Sequence, residues 1–258
     1  MTVNDKSWMA SISKLLAGSL MMMAVDQGRV SLDDPVTKFL PAFRGVDKQH
    51  PLTVRHLYTH TGGLWGHWGD DLNDFDQLIG YYYPYLEVGQ RYEYDGAGPA
   101  MGSKVLEMVT GEALPLFHKH HLLDPLGCTN TDVTTSSWDT QSTALDIAKI
   151  GQMLLNKGAY GNMRFFREET FRQMLPDNVT RLVPTDTTTV YGMGTSWYDW
   201  EGLGKGTFGH GAASSATIRI DPVHDLVITM TRNDAGKNFS TYHPKFIRAV
   251  VDALADSK

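Results

Sequence analysis

The segment SISKLLAGSLMMMAVDQG, residues 11–28, consists almost entirely of apolar and small residues as far as Gln27. Gly28 then supplies the left-handed residue that commonly closes a helix. The apolar run is too long for a strand, and it contains too few polar residues for a helix at the surface. The segment therefore predicts a buried core helix that begins at Ser11.

Ser11 and Lys14 are three residues apart, so this helix would place a hydroxyl and an ammonium on one face, one turn from each other. Ser11 would lie at the positive end of the helix dipole. Lys14 begins an apolar run, and loss of hydration would lower its pKa. These conditions favour a serine nucleophile with a lysine proton acceptor. The same spacing also arises by chance, as a capping serine and a solvated lysine, so the pair alone is a weak signal.

The secondary-structure pattern changes along the rest of the chain. Residues 31–184 are rich in Gly, Pro, Tyr, Trp and His and show only short periodic runs. Later residues show the alternation and the β-branched side chains that are typical of strands. The patterns predict helices at 54–59, 102–110, 144–156 and 242–254, and strands at 190–197, 216–220 and 226–232.

This order predicts an α/β (α+β) fold in which an antiparallel sheet is flanked by helices. Residues 1–30 and 185–258 would form a sheet-and-helix core, so the sheet domain would be built from both ends of the chain. Residues 31–184 would form a mostly helical, irregular inserted subdomain. The two parts together would make one structural unit.

Composition narrows the possible partners. A formal charge of −6 and scattered basic residues give no basic stripe, so nucleic acid is not expected to bind. Cys128 is the only cysteine, which excludes an internal disulfide and a CxxC pair. The longest apolar stretch, residues 15–25, is too short to span a membrane, and residues 1–6 do not resemble a signal peptide. These features do not assign the protein to a cellular compartment.

Further segments occur in a definite order after the first helix. They are QGRVSLDDP at 27–35, RHLYTHTGGL at 55–64, GQRYEYDG at 89–96, VTGE at 109–112, ALDIAKIGQMLL at 144–155, YGMG at 191–194, GHGA at 209–212 and DP at 221–222. Together with residues 8–14 they resemble the serine β-lactamase and penicillin-binding-protein family, including the class C-like members and the esterases of that fold. The resemblance covers nearly the whole chain and implies the β-lactamase/transpeptidase fold.

The resemblance also implies roles for individual residues. Ser11 would be acylated by the substrate carbonyl, and Lys14 would help to deprotonate it. Tyr94 would shuttle the proton to the leaving group, with Lys14 favouring its phenolate. His210 would lie on the strand that lines the site. Next to it, Gly211 and Ala212 would border the substrate, and the backbone N–H of Ala213 would complete an oxyanion hole with that of Ser11.

The chain departs from the family pattern at three places. Gly96 replaces an asparagine whose side-chain amide would bond the lysine and an acylamino substituent of the substrate. Ala212 replaces a glycine, which would crowd that edge of the site. Only ten residues precede Ser11 in this sequence, whereas relatives have N-terminal strands; an N-terminally shortened chain would expose a sheet edge and favour self-association.

We therefore expect a serine hydrolase that forms an acyl-enzyme with a small ester or a β-lactam, with esters favoured. Trp65, Trp68 and the tyrosines at 81–83 would help to line an apolar pocket. No metal and no cofactor are implied.

Three other functional classes are compatible with single features of the sequence to different degrees. A non-catalytic or penicillin-binding remnant of the same fold remains open. A metal hydrolase built on His56 and His60, or on His118, His120 and His121, is disfavoured, because no glutamate follows the first histidine of the helical pair. An α/β-hydrolase is excluded by the absence of a G-x-S-x-G sequence.

Overall fold

The computed structural model describes residues 2–44, 50–64 and 88–255. Helix α1 spans Ile12–Asp26, with Ser11 at its N-cap position, and almost all of its side chains are buried. Gly28 follows the helix with φ +70°, a conformation that favours glycine. The predicted buried helix and its glycine stop are confirmed.

The other described helices follow α1 at intervals. They are α2 Val54–Tyr58, α3 Ala97–Thr110, α4 Leu114–His118, α5 Asp124–Leu126, α6 Ala144–Leu155, α7 Glu168–Met174 and α8 Phe239–Ala255. A π-helical segment, Lys119–Leu123, joins α4 to α5. Helix α6 begins as its sequence predicts, because the Thr143 side chain accepts a hydrogen bond from the backbone N–H of Asp146.

The described strands are short. They are β1 Ser7–Trp8, β2 Gln141–Ser142, β3 Ala159–Tyr160, β4 Met163–Arg164, β5 Asp177–Asn178, β6 Val190–Tyr191, β7 Ser196–Trp197, β8 Phe208–Gly211, β9 Thr217–Asp221 and β10 Leu226–Met230. Strands β10-β9-β8-β7, in that order, form an antiparallel sheet. The remaining strands form the two-stranded pairs β1-β2, β3-β4 and β5-β6.

Helices pack on both faces of the four-stranded sheet. His210 pairs with Ile218, so both side chains lie on one face; on this side α1 contacts β8, and α6 contacts β9 and β10. Helix α8 covers the other face through Ile247, which packs with Ile228. The expected antiparallel sheet flanked by helices is confirmed, and the sheet carries His210 toward α1.

Two of the predicted elements need correction. The strand expected at 190–197 is instead β6 and β7, which belong to different sheets, because Gly194 lies between them with φ +73° and the chain turns there. The helix expected at 102–110 begins at Ala97. Its early residues include Gly98 and Pro99, which read as helix breakers in the sequence although proline is acceptable in a first turn.

The N-terminal segment contributes helix α1, which packs against strand β8. Strand β1 pairs with β2, and in the described ranges the four-stranded sheet contains only strands from 196–230. The division into a core and an inserted subdomain, and self-association through an exposed sheet edge, stay predictions.

Two further predictions concern the surface and the pocket. No helix in the described part of the chain combines the length and the apolar character that a membrane span requires. Trp65, Trp68 and the tyrosines at 81–83, which were expected to line a pocket, lie outside the described residues.

Candidate active site

Ser11 lies where the chain enters α1. Ala10, the preceding residue, has φ +43°, an uncommon conformation for a residue with a side chain and one that is typical of strained functional turns. The Ser11 side chain is 5% exposed and, among the described residues, does not cap the helix. Its hydroxyl is thus available for chemistry at the positive end of the helix dipole.

Lys14 places its ammonium beside Ser11 in the protein interior. Its side chain is 1% exposed, and Nζ donates a hydrogen bond of 2.8 Å to the carbonyl oxygen of Ser137. Nζ also lies 4.7 Å from the centre of the Tyr94 ring. Burial lowers the Lys14 pKa to about 8, while the Asp95 carboxylate acts in the opposite direction. The lowered pKa expected from the sequence is confirmed.

Tyr94 lies in a site where burial favours its neutral form. Burial raises the pKa of its phenol to about 12, although an interaction with the Ser11 side chain partly opposes this effect. The expectation that Lys14 favours the phenolate stays a prediction, and burial acts against it. Tyr94 remains a protonated phenol at neutral pH, with 37% of its surface exposed.

His210 faces α1 from strand β8. Its Nδ1–H donates to the carbonyl oxygen of Gly211, and its Nε2 accepts a 2.8 Å hydrogen bond from the Tyr191 hydroxyl. Arg219 in turn donates to the His210 carbonyl oxygen at 3.0 Å. Burial lowers the His210 pKa to about 3, so the imidazole is neutral. With both ring nitrogens bonded, its side chain is held in one orientation.

The other predicted substrate-binding residues lie at the ends of elements. Gly211 ends β8, and Ala212 is half-buried and packs against the main hydrophobic core. Ala213 follows in an exposed turn. Gly96 is the N-cap residue of α3, and its carbonyl oxygen accepts a hydrogen bond from the Ser137 side chain. Ser137 therefore connects Lys14 to Gly96.

Two buried residues of the site, His60 and Asp95, were not anticipated as functional. His60 is fully buried with φ +59°, and its ring centre lies 4.5 Å from that of Tyr94 and 4.9 Å from that of Tyr191. Asp95 is also buried, and its Oδ2 lies 3.1 Å from His60 Nδ1. Asp95 directly follows Tyr94 in the GQRYEYDG segment, and no local pattern marks it as functional.

The other four histidines of the metal-hydrolase alternative have structural contacts. His56 belongs to the capping box of α2 with Thr53, and His118 Nδ1 donates to the Leu114 carbonyl oxygen. His120 and His121 both contact Glu112. Over the described ranges, no group of three or more His, Cys, Asp or Glu residues is suited to hold a metal ion.

An antiparallel sheet between helices, with a serine and a buried lysine on the first turn of the central helix, is the arrangement of one class of serine hydrolases. Residues 1–252 match the Beta-lactamase family, so the chain belongs to this family of hydrolases.

Named relatives include enzymes and penicillin-binding proteins. Penicillin-binding protein 4 of Amycolatopsis lactamdurans is 23% identical over 95% of this chain and 76% of its own length. Esterase EstB of Burkholderia gladioli is 32% identical, over 46% of this chain and 36% of its own length. The structure of EstCE1, described as a hydrolase with promiscuous acyltransferase activity, has a TM-score of 0.78 at 19% identity, over 97% of this chain and 86% of that one. The structural likeness shows the shared fold.

Proposed function

We propose that the protein is a serine hydrolase that cleaves small carboxylic esters through an acyl-enzyme on Ser11. The observation that carries the proposal is the buried ammonium of Lys14, one helical turn from Ser11 and 4.7 Å from the centre of the Tyr94 ring. A lysine with a pKa near 8 is neutral in a useful fraction of molecules at neutral pH, as a general base requires.

The proposed reaction has two stages. Ser11 Oγ attacks the ester carbonyl carbon while its proton passes to neutral Lys14, and backbone N–H groups, including those of Ser11 and Ala213, stabilise the oxyanion. The C–O bond to the alcohol then breaks, and Tyr94, a protonated phenol, gives the departing oxygen its proton and regains one from Lys14. Water attacks the acyl-Ser11 by the same route in reverse, which releases the carboxylic acid.

Substrate preference follows from the residues around Ser11. Gly96 offers only its backbone, and that carbonyl already accepts a hydrogen bond from Ser137. A site without a side-chain amide at this position has no such group to form a hydrogen bond with the acylamino substituent of a penicillin or cephalosporin. Small esters need no such contact, so we place them ahead of β-lactams.

The experiment that tests the mechanism is covalent labelling with a fluorophosphonate, followed by peptide mass spectrometry. The adduct is expected on Ser11, and Ser11→Ala should lose labelling and most of the esterase activity. Ser13→Ala is the matched control, because Ser13 is a buried serine on the same turn whose Oγ donates to the Ala10 carbonyl at 2.7 Å. Full activity in Ser11→Ala, or labelling that moves with Ser13, contradicts the proposal. A folded parent that takes no label would instead support the non-catalytic alternative.

A further inference from the structure

Asp95 is a buried carboxylate between the proposed proton donor and the first residue of α3. It is 7% exposed, and its Oδ1 accepts a 2.6 Å hydrogen bond from the backbone N–H of Gly98. Its Oδ2 lies 3.1 Å from His60 Nδ1. A carboxylate in this position is costly unless it is hydrogen-bonded and close to a positive charge.

The hydrogen-bonding contacts described for the His60 side chain are with Asp95. Its Nδ1 contacts both the Asp95 carboxylate and, at 3.2 Å, the Asp95 backbone nitrogen. Its Nε2 has no hydrogen-bond partner among the described residues, and Tyr94 and Tyr191 pack against its ring. Burial lowers the His60 pKa, so the ring is neutral and does not balance the carboxylate charge. A positive charge that balances the Asp95 carboxylate must therefore come from another residue.

Lys14 is the cation of this cluster, because its Nζ lies 4.7 Å from the centre of the ring of Tyr94, the residue before Asp95, and the Asp95 charge acts to raise the Lys14 pKa. Tyr94 joins this ammonium to the other groups of the cluster: its ring centre lies 4.5 Å from that of His60, which contacts Asp95, and 6.4 Å from that of His210 on β8. The two histidines are neutral and Tyr94 is protonated, so Asp95 supplies the negative charge of this group. The only hydrogen bond described for Nζ goes to the Ser137 carbonyl, which carries no net charge.

We propose that Asp95, fixed by His60 and by the amide of Gly98, is a positioning residue that provides the counter-charge of Lys14 in the active site. This inference rests on the proposed function of Ser11 and Lys14. The charged side chain of Asp95 thus stands directly before Gly96, the position at which this chain lacks a side-chain amide.

The carboxylate acts at the moment of proton transfer. When Ser11 attacks the substrate, Lys14 changes from an amine to an ammonium, and a fixed negative charge in a water-poor site stabilises that developing charge. The same interaction keeps the Lys14 pKa from falling further under burial. Asp95 would therefore increase the rate of acylation and determine the pH at which the enzyme becomes active.

The test is the pH profile of kcat/KM for a p-nitrophenyl ester in the parent and in Asp95→Asn. Asparagine has the same shape and still accepts the hydrogen bond from Gly98, but it carries no charge. Because the carboxylate raises the Lys14 pKa, its removal lowers that pKa, and the acid limb should move to lower pH by about one unit or more. The plateau should fall by about tenfold, since the developing ammonium loses its counter-charge.

Asp146→Asn is the matched control. Asp146 is also a buried carboxylate, and it accepts hydrogen bonds from the backbone N–H of Asn130 and the hydroxyl of Thr131. Its substitution is expected to leave the acid limb in place. Should Asp95→Asn not fold, Asp95→Ser removes the same charge and keeps a hydroxyl for the Gly98 amide.

An acid limb that stays in place in a folded Asp95 variant overturns the inference, even if the rate falls, because a structural role alone changes the rate without moving the limb. Fluorophosphonate labelling of Ser11 in the same variant separates this outcome from failure of the proposed function. Labelled Ser11 with an unmoved limb rejects only the role of Asp95. A parent that is never labelled on Ser11 rejects both.

Discussion

At the scale of single residues, Lys14 has the most testable role. Its side chain is 1% exposed and its pKa is lowered to about 8 by burial. Only the neutral amine accepts a proton from Ser11, so the rate should rise with pH as the pH passes through about 8. Lys14→Met should reduce kcat/KM by about 10² to 10⁴ and abolish this rise.

The measurement is kcat/KM for a p-nitrophenyl ester between pH 6 and pH 10, with circular dichroism to confirm the fold. Methionine fills the buried volume and removes the cost of burying a charge, so the variant should remain folded. A Lys14→Met enzyme as active as the parent would mean that Lys14 only fills space in the core.

Gly96 gives a second prediction at this scale, on substrate choice. It is the N-cap residue of α3 with φ −101°, a conformation that asparagine also adopts and a position that asparagine favours. Gly96→Asn should therefore fold well and place an amide beside the site. We expect the ratio of kcat/KM for a cephalosporin to that for a short ester to increase by about tenfold, the value of one added hydrogen bond. Assay of both substrates on both proteins decides this, and an unchanged ratio would show that Gly96 does not set the preference.

At the scale of elements, the turn between β6 and β7 packs directly on α1. A Cβ atom added at Gly194 would lie 2.3 Å from the Lys14 carbonyl oxygen. Gly194→Ala therefore combines the strain of φ +73° with a clash against the helix that carries Ser11 and Lys14.

Gly28→Ala is the matched comparison, because Gly28 has nearly the same conformation, φ +70°, and nothing within 4 Å of the added Cβ. We expect Gly28→Ala to lower the free energy of unfolding by about 1 kcal/mol. Gly194→Ala should cost a further 1–3 kcal/mol, about the penalty of overpacking. Urea denaturation of both variants measures the difference, and equal losses would show that the turn yields without disturbing α1.

Elements with a continuous local pattern could be predicted from the sequence. The apolar run of α1 and the threonine cap of α6 each need only neighbouring residues, and both helices were found with nearly the expected ends. The strand predicted at 190–197 failed because its alternation continues across Gly194, while the pairing partners of its two halves lie on different segments. Such pairing is a tertiary property that periodicity does not contain.

The same distinction applies to the site. Ser11 and Lys14 are neighbours on a helix, so their geometry follows from their spacing. The contact between His60 and Asp95 joins residues 35 positions apart, and the bond from Tyr191 to His210 joins residues 19 apart. Neither contact has a local signal. The raised pKa of Tyr94 could not be predicted either, because burial of the site cannot be read from the flanking residues.

At the scale of the whole molecule, buried neutral histidines make stability depend on pH. Burial lowers the pKa of His118 to about 4 and that of His210 to about 3, and it lowers the pKa of His60 as well. In the unfolded chain a histidine titrates near pH 6.5. Burial of the neutral imidazoles therefore leaves the stability of the fold at its full value above about pH 6.5. This stability is lost as the pH falls from there toward the folded-state pKa values.

The size of this effect is large relative to the stability of an ordinary domain. Each such histidine costs about 1.4 kcal/mol per pH unit below 6.5, so His118 and His210 together remove about 4 kcal/mol by pH 5. Natural domains have about 5–15 kcal/mol in total. The carboxylates with lowered pKa values, such as Asp26 and Asp221, lose their contribution only at still lower pH and do not compensate.

We therefore expect the free energy of unfolding to be nearly constant from pH 8 to pH 7 and to fall steeply between about pH 6.5 and pH 5. His118→Gln isolates one proton, because glutamine can still donate to the Leu114 carbonyl oxygen but does not titrate. Urea denaturation across this range should give a slope that is smaller by about 1.4 kcal/mol per pH unit in the variant. His118 lies on α4, away from Ser11 in the sequence, so esterase activity at pH 8 serves as the check that the variant is folded. A parent whose stability stays constant down to pH 5 would require that these histidines become protonated inside the fold, and a variant with the parent's slope would remove His118 from the explanation.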